Sequence, residues 1–187
     1  MPSFDRPSNP DIEASPWVAR FAPLIRAGGL VLDLACGHGR HTRLLAYAGL
    51  HVIAADIDTT GLGDLATHPA VNVVTANLEG SAWPWPDQAF DGIVVTNYLH
   101  RPHFPHLIQG LARGGVLIID SFARGNEQFG RPRNPDFLLR PGELLDAFAG
   151  KFQVVAYEHG YEDLPRPAVR QRLCAVRDPD APLRLFA

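Results

Sequence analysis

Residues 33–39 carry one acidic side chain and two glycines in a spaced run, Asp33-Leu-Ala35-Cys-Gly37-His-Gly39, straight after the apolar Leu30-Val31-Leu32. Glycines spaced this way behind a strand make a tight turn and let a ligand lie against bare backbone. Two ligand chemistries compete for such a turn. A dinucleotide pyrophosphate goes with three small residues, G-x-G-x-x-G/A, but the third position here is Thr42. A carboxylate in the strand end would repel a pyrophosphate, and would suit a ligand bearing an ammonium and a sulfonium. A second carboxylate, Asp56, ends the run Val52-Ile-Ala-Ala-Asp56, 17 positions beyond Gly39. Asn77-Leu78 and Asn97-Tyr98-Leu99-His100 each follow a further strand-like run. Ligands of open α/β sheets sit beyond the carboxyl ends of the strands, so these four groups are expected to meet.

The elements needed to bring them together are legible as short apolar runs between helical and turn-like stretches. Residues 30–35, 51–55, 71–75, 90–96 and 116–120 read as strands. Several lack polar alternation, as strands covered on both faces do. Residues 40–48, 59–67, 105–112 and 141–149 read as helices, the second weakened by Gly61 and Gly63. Pro141 suits the last helix's first turn and Gly150 its end. Residues 152–158 and 170–177 read as two final strands joined by about ten residues, too few for a crossover helix, hence an antiparallel pair at a sheet edge. The expected fold is α/β: a mostly parallel seven-stranded sheet with an antiparallel edge strand and helices on both faces. Residues 1–187 read as one domain, with 1–29 as an N-terminal cap segment in which Trp17 and Phe21 lie on a helix. Residues 77–89, with Trp83-Pro-Trp-Pro86, should be loop.

With these residues in view, residues 31–40 resemble the first motif of class I S-adenosylmethionine-dependent methyltransferases, an apolar strand followed by D/E-x-G/A-x-G-x-G. The resemblance covers residues 30–120 and, in layout, the whole chain. It is nearest to the bacterial small-molecule branch that includes tellurite-resistance and thiopurine-type methyltransferases. It implies a Rossmann-like fold, S-adenosylmethionine as cofactor and S-adenosylhomocysteine as product. It implies that Asp33, Ala35, Gly37, Gly39 and Arg40 line the cofactor, that Asp56 and Ile57 meet its ribose and adenine, and that Asn77, Leu78 and Asn97 complete the site. Asn77 departs from the family's usual acidic residue, though its amide oxygen can still accept the adenine amino hydrogen. Trp17 and Phe21 could cover the cofactor, as N-terminal segments do in that branch.

Tyr98 and His100 are the candidates for orienting or deprotonating the methyl acceptor. The segment lacks the [DN]-P-P-[YF] signature of adenine and glutamine methyltransferases, and neither Cys36 nor Cys174 stands where RNA 5-methylcytosine enzymes keep their nucleophile. A small-molecule acceptor is expected; an RNA or protein acceptor, or a regulatory module that binds the cofactor without catalysis, stays open. An NAD-dependent dehydrogenase is disfavoured by Thr42 and Asp33. The histidines at 100, 103 and 106 suggest a metal site, but Pro102 and Pro105 interrupt any shared helical face, so no metal is expected. Residues 121–140, with two glycines and two prolines, read as an irregular lid over the substrate, rich in arginine (124, 131, 133, 140) and phenylalanine (122, 129, 137).

Composition narrows the partners. A chain of 187 residues, 46% hydrophobic, can bury a sizeable core. A net charge of −3 gives no pull towards DNA or an anionic membrane surface. The longest apolar run, residues 44–48, is far short of the roughly 20 residues of a membrane span, and the N-terminus shows no basic leader. Two cysteines without metal or disulfide spacing fit reduced thiols in the cytoplasm.

Overall fold

The computed structural model describes residues 13–80 and 82–178. Seven strands form one sheet: β1 (Leu30–Leu34), β2 (His51–Asp56), β3 (Val71–Thr75), β4 (Phe90–Thr96), β5 (Leu111–Phe122), β6 (Gln153–Glu162) and β7 (Ala168–Val176). Their order is β3-β2-β1-β4-β5-β7-β6. The first five run parallel, while β7 is antiparallel to both β5 and β6. The mostly parallel seven-stranded sheet expected from the sequence is therefore present. The antiparallel strand itself, β7, lies one place in from the edge, and β6 forms the border.

Neighbouring residues of the central strands feed opposite cores, which is why these runs show no polar alternation. Leu32, Leu34, Ile93, Val95, Leu117 and Ile119 pack on one face with Leu107 of α3 (Phe104–Gly110) and Leu144 and Phe148 of α4 (Glu143–Phe148). Val31, Val94, Val116 and Ile118 pack on the other, with α1 (Pro16–Phe21) and with Leu45 and Ala46 of α2 (Arg40–Tyr47). Trp17 and Phe21 belong to this second core: they are 5% and 2% exposed, and the Trp17 indole donates to the Leu173 carbonyl. Their expected role as a cofactor cover does not hold, because α1 lies against the sheet. The rest of the N-terminal cap, residues 1–12, lies outside the described residues.

Three further expectations are corrected by backbone geometry. Residues 60–67 form 3-10 turns, not an α-helix, and Gly63 at φ 57° breaks the helical path. The helix expected at 105–112 stops at Gly110. Leu111 already pairs with Phe90, and the ladder is irregular before Gly92 meets Val116. The final hairpin is longer and its turn shorter than expected, residues 163–167 alone joining β6 to β7.

Residues 121–140, mostly turns and short 3-10 helices after Phe122, are tied to the rest of the fold at several points. Ser121 and Phe122 continue β5, the Leu139 amide donates to the Phe122 carbonyl, and Ala123 bridges Leu139. Asn126, 1% exposed, accepts the Val169 amide and donates to the Pro132 carbonyl. Arg101 pins the far side, donating to the Asp136 and Leu138 carbonyls and forking onto the buried carboxylate of Glu143. Glycines and prolines mark the turns, but side-chain hydrogen bonds to backbone fix them, and those cannot be read from composition.

Candidate active site

The turn after β1 opens on a cavity of about 740 Å³ at the carboxyl ends of the strands. Ala35 (φ 57°) and Gly37 (φ 54°) both take left-handed backbone there. A Cβ at Gly37 would meet nothing within 4 Å, so this glycine is required by its backbone angle alone and leaves space on the cavity side. Asp56 locks the turn to the next strand: one carboxylate oxygen accepts the Gly37 amide at 2.8 Å and the other the Asp58 amide at 3.2 Å. Each oxygen keeps a lone pair for a ligand hydroxyl. Ile57, 65% exposed, and Leu78, 7% exposed, give the cavity its apolar sides. Asn97, at the end of β4, takes φ 53° and lines the cavity together with Tyr98 and Arg40.

Two predicted cofactor contacts stand elsewhere, and a third lines the cavity with its acceptor engaged. Asp33 is wholly buried beneath α2 and accepts a 2.6 Å hydrogen bond from the Thr42 hydroxyl; it does not line the cavity. Burial raises its carboxyl to about 6, against the opposing pull of Thr42 and Arg40. Thr42, which spoils the dinucleotide pattern, is thus the partner of Asp33. Gly39 is also behind the wall: a Cβ there would strike Leu62 and Leu65 at 2.6 Å, so it serves the packing of α2. Asn77 is at the rim, but its amide oxygen already accepts the Glu79 and Gly80 amides at 3.2 and 3.1 Å. Its role is to shape the turn, which leaves the expected acceptor for an adenine amino group occupied.

The two acid–base candidates separate. The Tyr98 hydroxyl is buried without a hydrogen-bond partner, and burial, then Glu79 and Asp56, push its pKa upward. It remains a proton donor and cannot act as a base near neutrality. His100 does not reach the main cavity; it lines a small apolar crevice and packs edge-on against His103 at 4.6 Å. His103 is buried with both ring nitrogens unpartnered and its pKa lowered to about 4 by desolvation, then by His100. Among the described residues, no cluster of His, Cys, Asp or Glu could hold a metal ion. Cys36 and Cys174 are free, buried thiols, both raised by burial, Cys174 to about 12.

A polar network missed by the sequence reading borders the site. His41, 1% exposed, accepts the Ser15 amide on Nε2 and bonds the Thr96 hydroxyl through Nδ1; desolvation, then Arg40, lowers it to about 3, so it stays neutral. Ser15 donates its hydroxyl to Asp120 at 2.6 Å. Asp120, 2% exposed, also takes Arg170 at 2.6 Å and Arg172 at 3.1 Å. Burial opposes its charge, but the two arginines and Ser15 outweigh that and hold the carboxyl below its ordinary range. Arg170 reaches on to the Asn97 side chain at 2.7 Å. The available signal was charge out of place, Arg170 and Arg172 in an apolar strand opposite an acid that ends an apolar run.

A second cavity, about 640 Å³, lies against the first and shares Arg40 and Asn97 with it. Residues 13–16, Asn126, residues 129–131 and residues 165–168 wall it.

Comparison with known proteins agrees with this geometry. The sequence model of a family described as "Methyltransferase domain" matches residues 31–114. A curated demethylmenaquinone methyltransferase from Clavibacter sepedonicus is 32% identical over 106 residues, covering 52% of this chain and 42% of its own. Among solved structures, TehB from Haemophilus influenzae superposes with a TM-score of 0.70 at 18% identity, over 86% of this chain and 61% of its own. The Burkholderia thailandensis 1,6-didemethyltoxoflavin-N1-methyltransferase, solved with 1,6-didemethyltoxoflavin and S-adenosylhomocysteine, does so with a TM-score of 0.63 at 19% identity, over 84% and 74%. The chain spans less than half the length of the curated relative and less than two thirds of TehB.

Proposed function

We propose that this chain, a class I methyltransferase by fold with a methyltransferase-domain sequence at 31–114, moves a methyl group from S-adenosylmethionine to a small-molecule acceptor. The observation that carries the reading is one cavity shared by the glycine turn after β1 and the Asp56 carboxylate after β2. The residues present fit the cofactor. Asp56 would accept the ribose hydroxyls with the lone pairs left by Gly37 and Asp58, Ile57 and Leu78 would flank the adenine, and the bare backbone of Ala35 and Gly37 would run beside the methionine part. A volume of about 740 Å³ is ample for a ligand of that size.

Bound cofactor supplies an electrophilic methyl carbon on a positively charged sulfur. An acceptor's lone pair would form the new bond to that carbon as the carbon–sulfur bond broke, its electron pair staying on sulfur. The protein's task is alignment and exclusion of water. Tyr98 lines the cavity with its protonated hydroxyl buried and unpartnered, and His100 lines the crevice behind it, so neither supplies a base at the cavity. An acceptor bearing an N–H or O–H therefore loses its proton to water or arrives ionised. No helix among the described residues is long and apolar enough to cross a membrane. We place the chain in the cytoplasm, where both thiols stay reduced.

Calorimetry with S-adenosylhomocysteine and NAD, followed by transfer of label from methyl-labelled cofactor to a panel of small acceptors, tests the reading. Micromolar binding of S-adenosylhomocysteine and turnover on a small molecule are expected. Tighter binding of NAD, or binding without turnover on any acceptor, overturns it.

A further inference from the structure

The carboxyl end of β4 is held from behind by groups whose hydrogen-bonding direction is fixed. A guanidinium can only donate, so the 2.7 Å bond from Arg170 to the Asn97 side chain ends on the amide oxygen. Arg170 has little freedom to withdraw it. Its Nε donates to the Asp120 carboxylate at 2.6 Å, and the nitrogen that reaches Asn97 also reaches the Asp120 carbonyl at 3.2 Å. The guanidinium lies over the Phe122 ring at 4.6 Å, and Asp120 is itself held by Ser15 and Arg172. The Asn97 carboxamide is therefore locked in one of its two flips, oxygen towards Arg170 and NH2 away from it.

Asn97 lines both cavities, whereas Arg170 lines only the second. The NH2 group, on the far side of the carboxamide from Arg170, thus serves the first cavity where the two meet. Thr96 is ordered in the same sense. The Ser15 backbone amide can only donate, so Nε2 of His41 is the bare nitrogen, and the ring, kept neutral by burial, carries its proton on Nδ1. That proton goes to the Thr96 hydroxyl oxygen at 3.1 Å, which leaves the hydroxyl hydrogen to be donated elsewhere. Thr96 also lines the first cavity. Two consecutive residues at the end of β4 thus have hydrogens to give. An amine or ammonium hydrogen brought against them sets donor against donor, while a lone pair is matched.

Resting on the methyltransferase reading above, we propose that Arg170 is a positioning residue that turns the Asn97 NH2 group towards the methyl acceptor, which meets it with a lone-pair oxygen and not with an N–H. The contact suits acceptors that carry a carbonyl, phenolate or N-oxide oxygen at that place, and disfavours amines and ammonium groups. A donor there also stabilises an acceptor oxygen that has given up its proton, which matters at a cavity where neither Tyr98 nor His100 supplies a base.

The probes are pyridine N-oxide, which offers only lone pairs, and pyrrole, which offers only an N–H. Each is titrated into the full chain with and without saturating S-adenosylhomocysteine. Nitrogen–proton correlation NMR follows the Asn97 side-chain amide, assigned by its loss in Asn97→Asp. The N-oxide is expected to shift that signal and to bind about fivefold tighter than pyrrole, the share of one net hydrogen bond. Asn97→Asp keeps an oxygen for Arg170 and tolerates the left-handed backbone at φ 53°, but has no hydrogen to donate, so the preference should reverse. Arg170→Met removes the lock, and should move the Asn97 signal and bring the two affinities to near parity. Circular dichroism shows whether each variant is folded, and Asn97→Asp decides alone if Arg170→Met is not. Pyrrole binding as tightly as the N-oxide, or an N-oxide preference that survives either folded variant, overturns the proposal. So does a loss of about tenfold in S-adenosylhomocysteine affinity in Asn97→Asp, which would give the NH2 group to the cofactor. Failure of S-adenosylhomocysteine to bind the wild type, with the N-oxide preference intact, instead overturns the cofactor assignment, so the two readings fail separately.

Discussion

Asp56→Ala tests the cofactor site most directly. The carboxylate bonds the Gly37 and Asp58 amides, and both donors are at exposed positions, so water replaces the lost protein contacts at little cost to folding. What water does not replace is a fixed charged acceptor aimed at two ribose hydroxyls. Hydrogen bonds to a charged group contribute roughly 1.5–3 kcal/mol, which converts to about 10- to 150-fold in affinity. Asp56→Asn separates charge from geometry: its amide oxygen can keep the Gly37 bond and holds the turn, while charge assistance is lost. The order of affinity for S-adenosylhomocysteine should be wild type, then Asn, then Ala, with melting temperatures nearly equal. Calorimetry measures the first and differential scanning fluorimetry the second. Unchanged affinity in a folded Asp56→Ala protein would refute the assignment. A large loss of stability would instead show that the carboxylate is there to hold the turn.

The remaining predictions concern the buried polar groups and the wall. Asp33, raised to about 6 by burial, binds its proton more tightly folded than unfolded, so folding stability falls as pH rises from about 4 to about 6; Asp33→Asn should remove this slope, worth up to roughly 3 kcal/mol, and urea melts at pH 4 and pH 8 compare the two. Asp120 has the opposite sign: its lowered carboxyl stabilises the fold above the ordinary aspartate range and is lost as pH falls through it. Arg170→Ala, which strips a main partner from that buried charge, should cost about 3–5 kcal/mol in urea melts at pH 7 and less on acidification. The segment 124–140 should resist trypsin in the ligand-free protein despite its arginines. Asn126→Ala, which leaves the Val169 amide and the Pro132 carbonyl unpaired, should cost about 1–3 kcal/mol and open that segment to cleavage.

What was legible in the chain was whatever depends on local pattern. Short apolar runs located all seven strands, and several of them show no polar alternation because the central strands are covered on both faces. The glycine spacing and Asp56 gave the cavity's position, because each lies within a few residues of a strand end. Boundaries that depend on backbone exceptions were missed: Gly63 breaking the 60–67 helix, and Leu111 pairing with Phe90 ahead of the irregularity in the ladder. The deeper errors concern direction. A one-residue step along β1 turns a side chain from one face to the other, and Asp33, counted as a cavity carboxylate, faces the underside of α2 with Thr42. The network of His41, Ser15, Asp120 and Arg170 was invisible for a different reason. Ser15 and Asp120 stand 105 positions apart, Asp120 and Arg170 50, and no local pattern reports a contact at that range. Those contacts set the character of the second cavity. By holding Arg170 and Arg172, the fold ties two guanidinium groups beside that cavity to one buried carboxylate. The polar character of that cavity thus rests on which guanidinium groups the sheet sets against an acid, a property of strand register that composition alone does not contain.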